Sequence, residues 1–200
     1  MAATTGERLI GRSLTDIAPN HVARYFWARD QLDQLAREDL RILDAACGVG
    51  YGGKIISSSP RGYRVHGVDR AGEAELHFPY FANHLTSFER CDVMDATGTY
   101  DAVVSIETIE HIEDDAGWVR KMGEMAPVVI GTVPNQDVCA FDPDKYLYHF
   151  RHYTQADVLR LFDGWDVAGW WTQYDKWNPE RAKMRPGHDG MTLGFVAVKK

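Results

Sequence analysis

Ile42-Leu43-Asp44-Ala45-Ala46-Cys47-Gly48-Val49-Gly50-Tyr51-Gly52-Gly53 reads as a short apolar strand that ends near an acid and runs at once into a glycine-rich turn. Glycines there put no Cβ in the way, so the backbone turns tightly and comes close to a ligand at the start of a helix. Gly48-Val49-Gly50-Tyr51-Gly52-Gly53 satisfies the G-x-G-x-x-G dinucleotide pattern. Asp44 changes its meaning. A carboxylate beside a pyrophosphate is repelled, whereas one beside a cationic amine binds it. The expected ligand is therefore an amino acid joined to a nucleoside.

Outward from this turn, strand and helix patterns alternate, the mark of a layered α/β fold with a mainly parallel sheet. A first helix is expected over 21–37, with Asn20 as its N-cap and Val22, Tyr25, Phe26, Ala28, Leu32 and Leu35 as its apolar stripe. Strands are expected over 41–46, 63–69, 87–92, 100–106 and 128–132, and closing strands over 165–174 and 191–198. Helices are expected over 51–58 and 114–125, with another capped by Thr154. The segments 133–153 and 175–190 are irregular. Each is about twenty residues long, a length more typical of a functional or mobile loop. The aromatic run Trp165, Trp170, Trp171, Tyr174 and Trp177 reads mainly as core. Because Trp170 and Trp171 are adjacent, they must face opposite sides of a strand.

Two hundred residues with 44% hydrophobic content suit one globular domain, 1–200, made of an N-terminal lid and helix (1–37) and a core (38–200). No stretch approaches the ~18 apolar residues of a membrane span, and Met1 to Arg8 lacks an apolar signal core, so a cytoplasmic location and no membrane partner are expected. Cys47, Cys91 and Cys139 are odd in number and widely spaced, which fits reduced core thiols. A net charge of −7 argues against a broad grip on nucleic acid, for which Arg181-Ala182-Lys183-Met184-Arg185 is the sole basic patch.

Acids recur at the carboxyl ends of successive strands: Asp44, Asp69 and Asp92. Ligands bind there in open parallel sheets. Asp69 is placed to accept both ribose hydroxyls, and Asp92 to accept an exocyclic adenine amine, with Val93 and Met94 against the ring.

Ile42 to Gly53, Val65-His66-Gly67-Val68-Asp69 and Tyr100-Asp101-Ala102-Val103-Val104-Ser105-Ile106-Glu107 together resemble the successive motifs of class I S-adenosylmethionine-dependent methyltransferases. Asp44 to Gly52, with the lead-in Glu7-Arg8-Leu9-Ile10 and His21-Val22-Ala23-Arg24-Tyr25, is similar to the branch found beside glycosyltransferases. The resemblance spans nearly the whole chain. It implies a Rossmann-like sheet of seven mostly parallel strands, with helices on both faces and an antiparallel closing strand. It also implies S-adenosylmethionine as methyl donor, held by Asp44, Ala46, Gly48, Gly50, Asp69, Arg70, Asp92, Val93 and Ile106. Two departures stand out. Ala46 occupies a position where the wider family usually has glycine, and the region from Met122 to Val128 lacks the usual Pro-Gly-Gly turn.

Glu107-Thr108-Ile109-Glu110-His111 follows the fourth strand on the acceptor side. On a helical turn, Glu107, Glu110 and His111 at i, i+3 and i+4 project together, an arrangement suited to a divalent ion. It resembles the E-x-x-E-H metal motif of small-RNA 2′-O-methyltransferases and ubiquinone-pathway O-methyltransferases. His149-Phe150-Arg151-His152-Tyr153-Thr154 matches the H-x-x-x-aromatic-Thr context of the first of these families. By resemblance the metal set is Glu107, Glu110, His111 and His149, for Mg²⁺ or Mn²⁺. Without metal, His111 serves as general base, with Glu110 beside it. His152 and Tyr153 are weaker candidates, and Tyr146 and Tyr148 are assigned to loop packing. The expected reaction moves a methyl group to an oxygen or nitrogen of a small molecule or sugar, with a nucleic-acid acceptor still open. Two rivals remain: an NAD(P)-dependent oxidoreductase, weakened by Asp44 and by the lack of a Tyr-x-x-x-Lys pair, and a non-catalytic S-adenosylmethionine-binding partner.

Overall fold

A computed structural model describes residues 3–5, 8–174, 178 and 181–200. The chain opens with a small antiparallel hairpin, β1 (Ala3–Thr5) and β2 (Arg8–Ile10). Helix α1 (Pro19–Gln34) follows, then β3 (Arg41–Ala45), α2 (Tyr51–Ile56), β4 (Arg64–Val68), α3 (Gly72–His77) and β5 (Thr86–Glu89). The second half contains β6 (Ala102–Ile106), α4 (Asp115–Met125), β7 (Val128–Pro134), α5 (Gln155–Leu161), β8 (Trp165–Gln173), β9 (Arg185–Pro186) and β10 (Thr192–Lys199).

The main sheet runs β5-β4-β3-β6-β7-β10-β8-β9. Strands β3 to β7 pair in parallel, while β10 is antiparallel to both β7 and β8. The expected α/β class holds, with eight strands among the described residues instead of seven, because two-residue β9 adds to the edge of β8. Strand order reverses at β3, whose neighbours are β4 on one side and β6 on the other. A crevice forms at the carboxyl edge of a sheet at such a switch point.

Alternation along each strand feeds two cores, since successive side chains point to opposite faces. Ile42, Ala102, Val104 and Ile106 join Tyr25, Trp27, Ala28, Leu32, Ile55 and Ile56 on the face covered by α1 and α2. Leu43 and Val103 join Trp118, Val119, Met122, Val158 and Phe162 on the face covered by α4 and α5. The adjacent tryptophans obey the same rule: Trp170 packs toward Phe195 and Trp171 toward Trp27, so each serves a different core. Trp177 lies outside the described residues.

Helix α1 starts earlier than expected. Pro19 takes its first turn, where a missing N–H costs nothing, and Ala18 stands at the N-cap. Asn20 is thus inside the helix and buried, its carbonyl accepting from Gln173 Nε2 at 2.9 Å. Phe26, expected on the apolar stripe, is exposed. The absent Pro-Gly-Gly turn has a simple replacement, since α4 ends at Met125 and only Ala126 and Pro127 separate it from β7. Cys47 is a buried thiol as expected, whereas Cys91 and Cys139 are half-buried.

Backbone conformation explains the glycine turn. Ala46 takes φ +56°, Gly48 +54° and Gly50 +89°, so three alternate residues after β3 are left-handed. Ala46 is the departure from the family pattern, and its φ shows why glycine is usual there. Gly52 has a different task. A Cβ on it would lie 2.1 Å from the Tyr25 ring, so the approach of α1 to α2 depends on its absence.

Two outcomes follow for stability in urea unfolding. Gly52→Ala should cost about 1–3 kcal/mol, because the buried Tyr25 ring has to move. Ala46→Gly should gain up to about 1 kcal/mol, the left-handed penalty relieved less the greater freedom of the unfolded chain.

Candidate active site

The three strand-end acids gather at the crevice in different states. Asp69, after β4, accepts from the Gly48 amide at 2.9 Å and from the Ala71 amide at 2.9 Å, tying the glycine turn to the neighbouring strand. Asp92 lies beyond β5, at the cap of a short turn over 93–95, where it accepts from the Met94 amide at 3.0 Å and pairs with Arg70 at 3.4 Å. Val93 is buried beneath this turn, and Ile106 closes β6 with its side chain in the core.

Asp44 is fully buried. One of its oxygens accepts from Tyr25 Oη at 2.9 Å, and the other has no hydrogen-bond partner among the described residues. Burial pushes its carboxyl up to about 7, against a lowering effect of the Tyr25 hydroxyl and with a further rise from Asp69. Such a group gains most from a cation brought in by a ligand.

Strand β6 ends at Ile106 and the chain turns sharply. Glu107 takes φ +49°, its amide held by the Thr132 carbonyl and Thr132 Oγ1, both at 3.1 Å. Residues Ile109 to His111 then form a single 3-10 turn, not the α-helical turn expected from the spacing. Its tighter winding, preceded by a left-handed residue, splits the expected quartet. Glu110, His111 and His149 converge, each offering one ligand atom, with those atoms within 4.8 Å of one another. Glu107 points elsewhere and pairs with Arg24 Nη1 at 3.4 Å. It is therefore removed from the metal set read from the sequence.

The loop that delivers His149 is fastened to this turn by the backbone. Phe150 donates its amide to the Glu110 carbonyl at 2.8 Å, and His111 Nδ1 donates to the Tyr148 carbonyl at 2.9 Å. Tyr146 stacks on His149 with ring centroids 5.3 Å apart, and its hydroxyl lies 2.7 Å from Cys139 Sγ. Tyr146 thus does more than fill the loop, a role its sequence context does not signal.

Arg24, not assigned from the sequence, is the buried centre of a polar network. It donates from Nε to Gln173 at 2.8 Å and from Nη2 to Thr192 at 3.0 Å. The only sequence signal for it was its place beside Tyr25 in the lead-in segment. A cavity of about 220 Å³ lies between this network and the cluster, lined by Asn20, Arg24, Glu107, Tyr146, His149 and Gln173 among others. A larger groove of about 520 Å³ beside α4 and α5 is lined by charges that pair with each other, Arg151 with Asp115 at 2.7 Å and Arg160 with Asp157.

A family model described as a methyltransferase domain matches residues 20–181. The chain is 30% identical over 121 residues to the ubiquinone biosynthesis O-methyltransferase of Methylocella silvestris, covering 56% of this chain and 45% of that protein. It thus spans about half the length of that curated relative. Among solved structures, the fold is similar to magnesium protoporphyrin IX methyltransferase (ChlM) from Synechocystis PCC 6803 with bound SAM. That superposition has a TM-score of 0.68 at 16% identity, over 90% of this chain and 80% of that one. The methyltransferase domain of bacterial-CtHen1-C is similar as well, with a TM-score of 0.68 at 15% identity over 90% of this chain and 98% of that one. The family match favours the methyltransferase reading of the glycine turn, and the chain belongs to the methyltransferase domain family.

Proposed function

We propose that the acceptor group is a hydroxyl on a small molecule, and that Glu110, His111 and His149 form the centre that prepares it for methylation. The observation that carries this reading is the convergence of one carboxylate and two imidazoles at the carboxyl end of β6. The relative named as an O-methyltransferase supports an oxygen nucleophile. The net charge of −7 and the cavity of about 220 Å³ favour a small acceptor over a nucleic acid.

In this reading Asp69 holds the ribose, and Asp92 receives the adenine amine above Val93. Gly48, Gly50 and Ala46 bring the backbone close to the cofactor, Ile106 and Arg70 flank it, and ionised Asp44 faces its ammonium. Asp44 suits that part because it is buried with an oxygen that has no partner among the described residues. S-adenosylmethionine supplies an activated methyl on its sulfonium, so the protein's share of catalysis is mainly in-line positioning. His111 Nδ1–H donates to the Tyr148 carbonyl, so with no ion bound the basic nitrogen of His111 is Nε2, the atom that would take the acceptor's proton.

The donor set also fits a divalent ion. Carboxylate oxygen with imidazole nitrogen suits Mg²⁺-like or Mn²⁺-like ions, and the ligand atoms converge closely enough to share one. Glu110, His111 and His149 would hold it, and bound there it would lower the acceptor hydroxyl's pKa.

The electrostatics of Asp44 give a pH dependence with a definite sign. Its carboxyl is raised to about 7 from an ordinary 3.8, so the ligand-free fold keeps the proton that the unfolded chain loses. Stability should therefore fall as pH rises from the ordinary carboxylate range through about 7. Affinity for S-adenosylhomocysteine should rise over the upper part of that window as Asp44 ionises to meet the ammonium. Calorimetric titrations should show this rise in the wild type and a flat, weaker profile in Asp44→Asn. A wild-type profile as flat as the variant's removes Asp44 from the cofactor site.

Titration of Mn²⁺ into the protein tests the acceptor side without knowledge of the acceptor. Binding is expected in the wild type and should be lost in His149→Ala and Glu110→Gln, while affinity for S-adenosylhomocysteine stays within about twofold, since neither residue faces it. If the wild type does not bind Mn²⁺, the base role of His111 stands alone.

A further inference from the structure

His152 lies outside the converging set, yet it makes two close polar contacts beside it. Its ring is buried, packed against Tyr146 at 4.5 Å and Phe141 at 5.5 Å between centroids. Nδ1 lies 2.5 Å from the Cys139 carbonyl oxygen, and Nε2 lies 2.8 Å from His149 Nδ1. A carbonyl oxygen only accepts, so His152 donates from Nδ1. A neutral His152 must then accept at Nε2. The donor to it is His149 Nδ1–H, and the lone pair of His149 is left on Nε2.

We infer that His152 is a positioning residue that holds His149 in its Nδ1–H tautomer, so that His149 presents Nε2 to Glu110 and His111. The same arrangement is met independently at the other imidazole, where the Tyr148 carbonyl takes the Nδ1 proton of His111. Both rings are thus fixed through Nδ1 by an acceptor outside the cluster. Free imidazole prefers no such orientation by itself; the outer partner imposes it and strengthens the ring as a base or ligand. A carbonyl serves for His111. His149 has an imidazole instead, itself anchored to Cys139 before the loop returns to α5. The consequence for metal rests on the reading above, whereas the tautomer does not.

A simpler role would be packing, with His152 no more than a ring in an aromatic cage. Two substitutions separate the roles: His152→Phe keeps the ring and loses both hydrogen bonds, and His152→Gln returns an amide oxygen able to accept from His149. The readouts are the ring ¹⁵N resonances of His149, recorded well above the usual imidazole range, and the Mn²⁺ affinity. Expected are a protonated Nδ1 on His149 in the wild type, a change to the Nε2–H tautomer in His152→Phe, and recovery in His152→Gln. Mn²⁺ affinity should fall roughly 10- to 100-fold in the phenylalanine variant and return in the glutamine variant. His149 protonated at Nε2 in the wild type, or an unchanged tautomer in His152→Phe, overturns the inference. The wild-type spectrum decides the first point even where a variant does not fold. A wild type with the expected tautomer and no Mn²⁺ binding overturns the metal reading and supports the role of His152.

Discussion

A carboxylate buried without a full set of partners governs the architecture around the crevice. Asp44 sits in the centre of the sheet, between β4 and β6, with no exposure and a single donor among the described residues, Tyr25 Oη at 2.9 Å. Leaving a charge there is costly unless something compensates it. The chain meets the problem from three sides. Burial raises the carboxyl to about 7, which lessens its charge in the ligand-free state. Tyr25 reaches over from α1, and Gly52 provides the space for its ring. In the proposed reading a ligand's ammonium completes the set, and a pyrophosphate ligand would find repulsion in the same place.

Neighbouring residues of α1 extend this logic to the turn past β6. Tyr25 goes to Asp44 at the end of β3, and Arg24 goes to Glu107 just past β6, so one turn of helix spans both halves of the crevice. A buried ion pair gains little net stability by itself, because desolvation offsets the attraction. Here Gln173 and Thr192 satisfy two further guanidinium nitrogens, and Gln173 binds back to the Asn20 carbonyl. The network thus locks α1 to β8 and β10, the antiparallel end of the sheet.

Most of the fold was legible because its signals are local. The apolar runs of β3 and β6, the glycine turn and the helix capped by Thr154 all reappear within a few residues of their expected bounds. What escaped was set by contacts remote in sequence. Helix α3 is short and mostly polar, β9 exists only by pairing with β8, and Asn20 is drawn inside α1 by Gln173. At the site, Asp44, Asp69 and Asp92 could be named because each ends or follows a recognisable strand. Arg24 could not, since a basic residue on a helix is ordinarily solvent-facing. Its burial depends on side chains far along the chain.

The fate of Glu107 shows how one backbone angle decides chemistry. Helical spacing would put Glu107, Glu110 and His111 on one side, and two adjacent carboxylates would then repel unless a cation joined them. With Glu107 at φ +49°, pinned by Thr132, its side chain turns to Arg24 and its charge is compensated by the protein. A non-glycine residue held left-handed stores strain that the surroundings must overcome, and such residues gather where geometry serves function. What remains in the converging set is one buried carboxylate with two imidazoles, a set with less negative charge, while Glu107 lines the cavity. The strain at Glu107 and the ion pair with Arg24 are therefore two parts of one arrangement. Together they separate a carboxylate that fastens α1 from one that converges with two imidazoles.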